Sequence, residues 1–292
     1  MTTMLSKYER LTQTRATDPG AIRRAADQRA TAPLVPSDGR LMIIACDHPA
    51  RGANGVGDRP LAMADRADLL DRLQTALSRP GVDGVLGSPD ILEDLLLLGA
   101  LDGKVVVGSM NRGGLAGTSF EIDDRFTAYD AASIAAAGFG GGKMLLRIDP
   151  DDAGTAGTLV GCANAVTDLA RLGLLAMVEP FISHRVDGRV RNDLSAGAMI
   201  RAVSVAAGLG ATSAYTWLKV PVVDDMERVM AATTLPTLIL GGEVSADTDA
   251  AYSRWSKALA LPTVRGLVIG RRLLYPPGGD VAAAVDRAVS LL

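Results

Sequence analysis

Histidine and cysteine are scarce in this chain, with two of each among 292 residues. Cys46 falls in an apolar run and Cys162 in a stretch of helical period, without the spacing of a disulfide framework. Both read as reduced, packed thiols. His48 and His184 show no paired metal-ligand spacing, so the expectation is no metal site and no metal-dependent chemistry. The net charge of -3 supplies no electrostatic footprint for nucleic acid, although a local cationic pocket for a small anion is compatible with it. The first residues are polar and charged, with no apolar signal core, and no apolar run is long enough to span a bilayer. A cytoplasmic protein with no membrane partner is expected. No linker, low-complexity segment or internal repeat marks a second domain.

What the chain does contain is an ordinary globular composition, 48% hydrophobic and 22% charged, and a regular alternation. Asp18-Pro19 reads as a helix start, with Asp18 as N-cap and Pro19 at the first helical position, followed by a helix over Ala21–Ala30. Pro33, Pro36 and Gly39 end this lead-in. Candidate strands then follow at Leu41–Cys46, Gly84–Leu86, Lys104–Gly108, Gly142–Ile148, Leu174–Glu179, Ala214–Val220, Thr237–Leu240 and Gly266–Ile269. Between them run stretches of helical period, among them Leu61–Leu77, Phe126–Ala137, Thr155–Leu172 and Ser195–Leu209. Short apolar strands suit a parallel sheet covered on both faces. Eight of them over this length predict an α/β fold, a single (β/α)₈ TIM barrel over 41–292 behind an N-terminal helical extension over 1–40. A doubly wound open sheet is the alternative, because alternation alone does not show closure.

Lys219 is the most informative residue. It lies in the run Ala-Tyr-Thr-Trp-Leu-Lys-Val-Pro-Val at 214–222. A charged lysine among such neighbours is costly to bury, whereas a desolvated, neutral amine attacks a carbonyl. Strand alternation puts Tyr215, Trp217 and Lys219 on one face and Thr216, Leu218 and Val220 on the other. The plain alternative is a strand-end lysine that snorkels to solvent. Asp47, Lys143, Arg147 and Glu179 also sit in or at the ends of candidate strands. In a barrel they would converge with Lys219 at the C-terminal mouth, where active sites of this architecture lie. Lys143 is then a candidate to keep Lys219 neutral, with a structural ion pair to Glu179 or Asp47 as the other reading. Glu179 is a candidate acid/base, and Asp47 a candidate to orient a lysine or share proton transfer.

Gly241-Gly242 and Gly270-Arg271 follow the seventh and eighth candidate strands. There, backbone N–H groups can approach a phosphate or a sulfonate, with Arg271, or Arg272 in its place, adding charge. Gly140-Gly141-Gly142 precedes a strand and reads as a turn. His48 is expected to shape the first loop, His184 to lie in the loop after the fifth strand, and Asn111-Arg112-Gly113-Gly114 to form a surface loop.

These residues resemble class I Schiff-base aldolases of the tagatose-bisphosphate, sulfofructose-phosphate and archaeal-type fructose-bisphosphate kind. The resemblance runs from about Leu41 to Tyr275. It is carried by Cys-Asp-His-Pro at 46–49, Gly-Gly-Lys-Met-Leu-Leu-Arg-Ile-Asp-Pro at 141–150, Met-Val-Glu-Pro-Phe at 177–181, Trp-Leu-Lys-Val-Pro at 217–221, the Gly-Gly at 241–242 and the Gly-Arg at 270–271. It implies a barrel in which Lys219 forms the imine, Glu179 is the acid/base, and Lys143 and Asp47 support them. Gly242, Gly270 and Arg271 would form the phosphate cradle, beside which Gly241 and Arg147 stand as further candidates from the strand reading to bind substrate. It also implies a homo-oligomer and no cofactor beyond the covalent imine. Archaeal-type relatives carry a tyrosine acid near Phe181, and phenylalanine cannot transfer a proton, which favours a route through Glu179. The expected activity is cleavage or formation of a C–C bond in a phosphorylated ketose or keto-acid, releasing dihydroxyacetone phosphate, in sugar, sulfo-sugar or inositol catabolism. The alternatives are an acyl or aldehyde transferase on the same lysine and a catalytically silent barrel that binds a sugar phosphate.

Overall fold

The computed structural model describes residues 6–242 and 247–292. Nine strands form one sheet: β1 (Leu41–Cys46), β2 (Gly84–Gly87), β3 (Val105–Ser109), β4 (Gly141–Ile148), β5 (Leu175–Val186), β6 (Arg189–Asp193), β7 (Thr216–Val220), β8 (Thr237–Leu240) and β9 (Val264–Ile269). Every neighbouring pair is parallel except β5 with β6. Because β9 pairs with β1 and β4 with β5, the eight parallel strands close on themselves. The closed ring is a (β/α)₈ barrel and removes the open-sheet alternative.

The helices are α1 (Lys7–Thr17), α2 (Gly20–Gln28), α3 (Arg66–Leu77), α4 (Pro89–Leu97), α5 (Ala131–Ala136), α6 (Gly154–Arg171), α7 (Ala196–Ala207), α8 (Met226–Met230), α9 (Thr248–Leu259), α10 (Arg271–Leu274) and α11 (Val281–Val289). Side-chain caps fix several starts. Asp65 accepts from the backbone of Ala67 and Asp68, so α3 begins at Arg66 and the expected helix loses residues 61–65 to a turn. A capping box between Asp130 and Ser133 likewise shortens the expected 126–137 helix to α5. Asp18 does not cap α2: its carboxylate goes to Arg24, and Pro19 precedes the helix without a side-chain cap.

Two apolar layers result from strand alternation. The barrel interior is filled by Leu41, Ile43, Ala45, Leu86, Val105, Val107, Leu175, Met177, Leu238 and Val268. Ala32, Leu34 and Trp217 pack against this inner cluster. Leu218 and Val220 belong instead to the larger layer between strands and helices. Lys219, two residues from Trp217, is thereby turned to the inside. Outside the ring, α1 lies on α3 and α4, with Leu11 buried and Arg15 paired to Glu93 and Asp94. Among the described residues no helix is long and apolar enough to cross a membrane.

One element was unexpected. β5 runs on past the barrel and returns as antiparallel β6 through Asp187-Gly188, at φ 50° and 74°. Positive φ at both central residues is the hairpin turn whose twist matches its strands. His184 therefore lies in a strand opposite Arg191, not in a loop.

Candidate active site

The carboxyl ends of the barrel strands open into a cavity of about 860 Å³. Asp47, Arg147, Glu179, Lys219, Gly241, Gly242, Gly270 and Arg271 all line it. Lys143 lies just beneath, with its side chain 1% exposed. The β4–β5 register explains the layering. Lys143, Leu145 and Arg147 alternate inward on β4, and Leu145 sits opposite Glu179.

The charged groups form a continuous chain. Lys219 Nζ stands 3.1 Å from Glu179 Oε2, and Lys143 Nζ 2.6 Å from the same oxygen. Lys143 Nζ also donates to Asp47 Oδ2 at 3.2 Å. Ser109 donates to that oxygen at 3.1 Å, and the Arg112 guanidinium closes on it as well. Arg112 Nε in turn donates to Ser109 Oγ at 3.1 Å. Three cations thus share two carboxylates. Lys143 is both things considered from the sequence: a neighbour of the reactive lysine and a member of an ion pair.

Burial sets the electrostatics, because it penalises each charge unless a partner offsets it. Burial, then Arg112 and Lys219, hold Lys143 well below the usual lysine range despite Glu179. Lys219 is lowered by burial against the pull of Glu179, with Arg112 and Arg271 adding to the lowering. For Glu179, burial acts upward, but Lys143, Lys219 and Arg112 outweigh it and keep the carboxyl well below its usual range. A stable carboxylate beside amines that resist protonation is a base next to a nucleophile. His48 is pushed well below its ordinary range, first by burial and then by Arg271 and Lys219, which disfavours its charged form.

Arg147 proves to be a wall of the cavity. It donates from Nε to Asp124 at 2.8 Å, from Nη1 to Glu121 at 3.0 Å, and from Nη2 to Asp124 at 2.7 Å and to the Glu121 carbonyl. Those four bonds leave one of its five N–H groups for a ligand. Arg51 pairs with Glu121 from the other side.

Residues 111–114 are not a surface loop. Asn111 is fully buried and trades two hydrogen bonds with the Leu145 backbone, while Arg112 is 6% exposed. The missed signal was position: Arg112 follows the end of β3 as Asp47 follows the end of β1. Gly141 and Gly142 are not a turn: they are the first two residues of β4, paired with Leu175 and Ala176 of β5, and only Gly140 precedes the strand.

Across the mouth, Gly242 has φ 67° and Gly270 leads into α10. A Cβ at Gly270 would collide with the Ala45 carbonyl of the neighbouring strand, so only glycine keeps β9 and β1 together there. Arg271 Nη1 donates to the Gly55 carbonyl at 3.2 Å, and Arg272 also lines the cavity.

The Cgl0159-like family model matches residues 39–289. The crystal structure of Cgl0159 from Corynebacterium glutamicum superposes with a TM-score of 0.95 at 55% identity, covering 98% of this chain and 96% of that one. A Schiff-base-forming fructose-1,6-bisphosphate aldolase, studied through its reaction intermediates, gives a TM-score of 0.67 at 19% identity, over 92% of this chain and 99% of the other. An archaeal fructose-1,6-bisphosphate aldolase, with its catalytic lysine covalently bound to the carbinolamine intermediate, gives 0.65 at 18%, over 92% and 97%. At such identities the two aldolases share the fold with this chain. No curated protein matches it.

Proposed function

This chain belongs to the Cgl0159-like family, and we propose that it is a class I aldolase that makes or breaks a C–C bond in a phosphorylated ketose or keto-acid. The observation that carries the reading is Lys219, buried at the base of a cavity and 3.1 Å from the Glu179 carboxylate. The likeness to barrel aldolases supports it at the level of scaffold.

The chemistry follows from those two groups. Neutral Lys219 adds to the C2 carbonyl, and loss of water from the carbinolamine leaves a protonated imine. Glu179 takes the proton of the C4 hydroxyl. The C3–C4 bond breaks, its electron pair moves into the imine as an enamine, and an aldehyde departs. Protonation of the enamine at C3 and hydrolysis then release dihydroxyacetone phosphate and return the amine. Phe181 lines the cavity and supplies no proton, so the proton traffic is assigned to Glu179. Gly241, Gly242, Gly270 and Arg271 are proposed to hold the phosphate, and the covalent imine takes the place of a cofactor. The proposal includes a cytoplasmic homo-oligomer acting in sugar, sulfo-sugar or inositol breakdown.

Incubation with dihydroxyacetone phosphate and borohydride, followed by intact mass and peptide mapping, tests this. A stable adduct on Lys219 is expected. No adduct, with a known class I aldolase labelled in parallel, would overturn the reading in favour of a silent sugar-phosphate-binding barrel. Replacing Arg271 by Ala is expected to raise KM for a phosphorylated substrate by about tenfold with a smaller change in kcat, as loss of a charge-assisted contact should. Steady-state kinetics check the split.

A further inference from the structure

We propose that Arg112 is a positioning residue for the reactive amine: by occupying Asp47, it leaves Lys143 and Lys219 to share the single carboxylate of Glu179. Arg112, Lys143 and Ser109 all converge on Asp47 Oδ2, and Arg112 is fixed there by a second contact to Ser109. Lys143 is closer to Glu179, at 2.6 Å, than to Asp47, at 3.2 Å. A guanidinium holds its proton far more firmly than an ammonium, and here Arg112 is pushed down only to about 10 by burial. The surplus cation of the site must therefore be relieved at a lysine.

Among the described residues, the groups facing the two amines come from four strands. They are Asp47 and His48 after β1, Arg112 after β3, Glu179 on β5, and Arg271 after β9. Arg147, Glu121, Asp124 and Arg51 form a separate set, two cations with two carboxylates, and so leave the balance unchanged. Among these groups Arg112 is the one that neutralises Asp47 without touching Glu179. Without it, the two carboxylates would be in contact with the two ammoniums alone, Arg271 acting only from a distance, and both lysines would be more easily protonated.

The purpose of the device rests on the imine reading, but its test does not need a substrate. The reactivity of Lys219 toward acetic anhydride, followed against pH by peptide mapping, reports its protonation directly. In Arg112→Gln the labelling midpoint is expected to rise by about one pH unit, with labelling at pH 7 falling about tenfold. In Asp47→Asn, where one carboxylate is lost and Arg112 stays, the midpoint is expected to fall. Arg112→Lys, which keeps the charge, should restore the wild-type midpoint.

A general loosening of the site would move the first two variants the same way, and that result, or an unmoved midpoint in Arg112→Gln, overturns the proposal. Should Arg112→Gln fail to fold, Arg112→Lys and Asp47→Asn decide. The proposal is overturned if Asp47→Asn leaves the midpoint in place or if Arg112→Lys raises it. Borohydride trapping run on the same samples separates the two claims. Shifted midpoints without an adduct would remove the aldolase reading and keep the role of Arg112, and an adduct without shifts would do the reverse.

Discussion

Lys219→Ala is expected to lose turnover by at least about a thousandfold and to form no borohydride-stable adduct, while still binding a phosphorylated ligand. The size follows from the role: without the amine there is no imine, and the remaining site supplies binding and electrostatics alone. The fold should survive. Glu179 keeps Lys143 at 2.6 Å, so no buried carboxylate is stranded, and the truncated side chain opens into an existing cavity instead of a dry hole. Lys219→Met, which keeps most of the volume, serves as the packing control. A melting temperature near wild type, loss of adduct and retained ligand binding by calorimetry would together fix the role of the residue. Residual turnover above about one per cent would assign the chemistry elsewhere.

The barrel was legible in the sequence because both of its periods are strong. Leu41–Cys46 and Thr237–Leu240 were placed to the residue, since short apolar runs bounded by polar turns leave little choice of register. Helix starts were harder: capping by Asp65 and Asp130 overrides apolar periodicity that continues upstream. The β5–β6 hairpin was missed because its strands, Ser-His-Arg-Val and Arg-Val-Arg-Asn, are polar and half exposed, although Asp187-Gly188 carried the signal of its turn. In the site, residues inside or at the ends of apolar strands were found, because a charge there is conspicuous. Arg112 was not, because Gly113-Gly114 behind it imitates a loop. Its burial comes from contacts with Asp47, 65 positions earlier in the sequence, which one-dimensional spacing cannot express. Arg147 shows the converse. It was legible as an inward cation, but the carboxylates that occupy it lie in a loop 23 and 26 residues earlier.

Glu179→Gln separates binding of the ketone from bond cleavage. Lys143 would then keep only Asp47, which Arg112 already holds, and Lys219 would lose the carboxylate it contacts, so both amines would be still less easily protonated. Dihydroxyacetone phosphate should therefore still be trapped on Lys219. The proton of the substrate hydroxyl would have no acceptor, and kcat for cleavage is expected to fall by about a hundredfold to ten-thousandfold. Acid stability should change in the same variant. The Glu179 carboxyl is held below its ordinary value of 4.5 in the folded chain, so the unfolded chain binds the proton first as pH falls. Its contribution to stability is complete above that value and is lost progressively below it. The glutamine variant lacks this component, so its melting temperature should fall less steeply than that of wild type as pH drops below about 4.5. Parallel melting curves down the acid limb would show that Glu179 is not held as a buried carboxylate by Lys143 and Lys219. Such a result would also remove the base from the cleavage step.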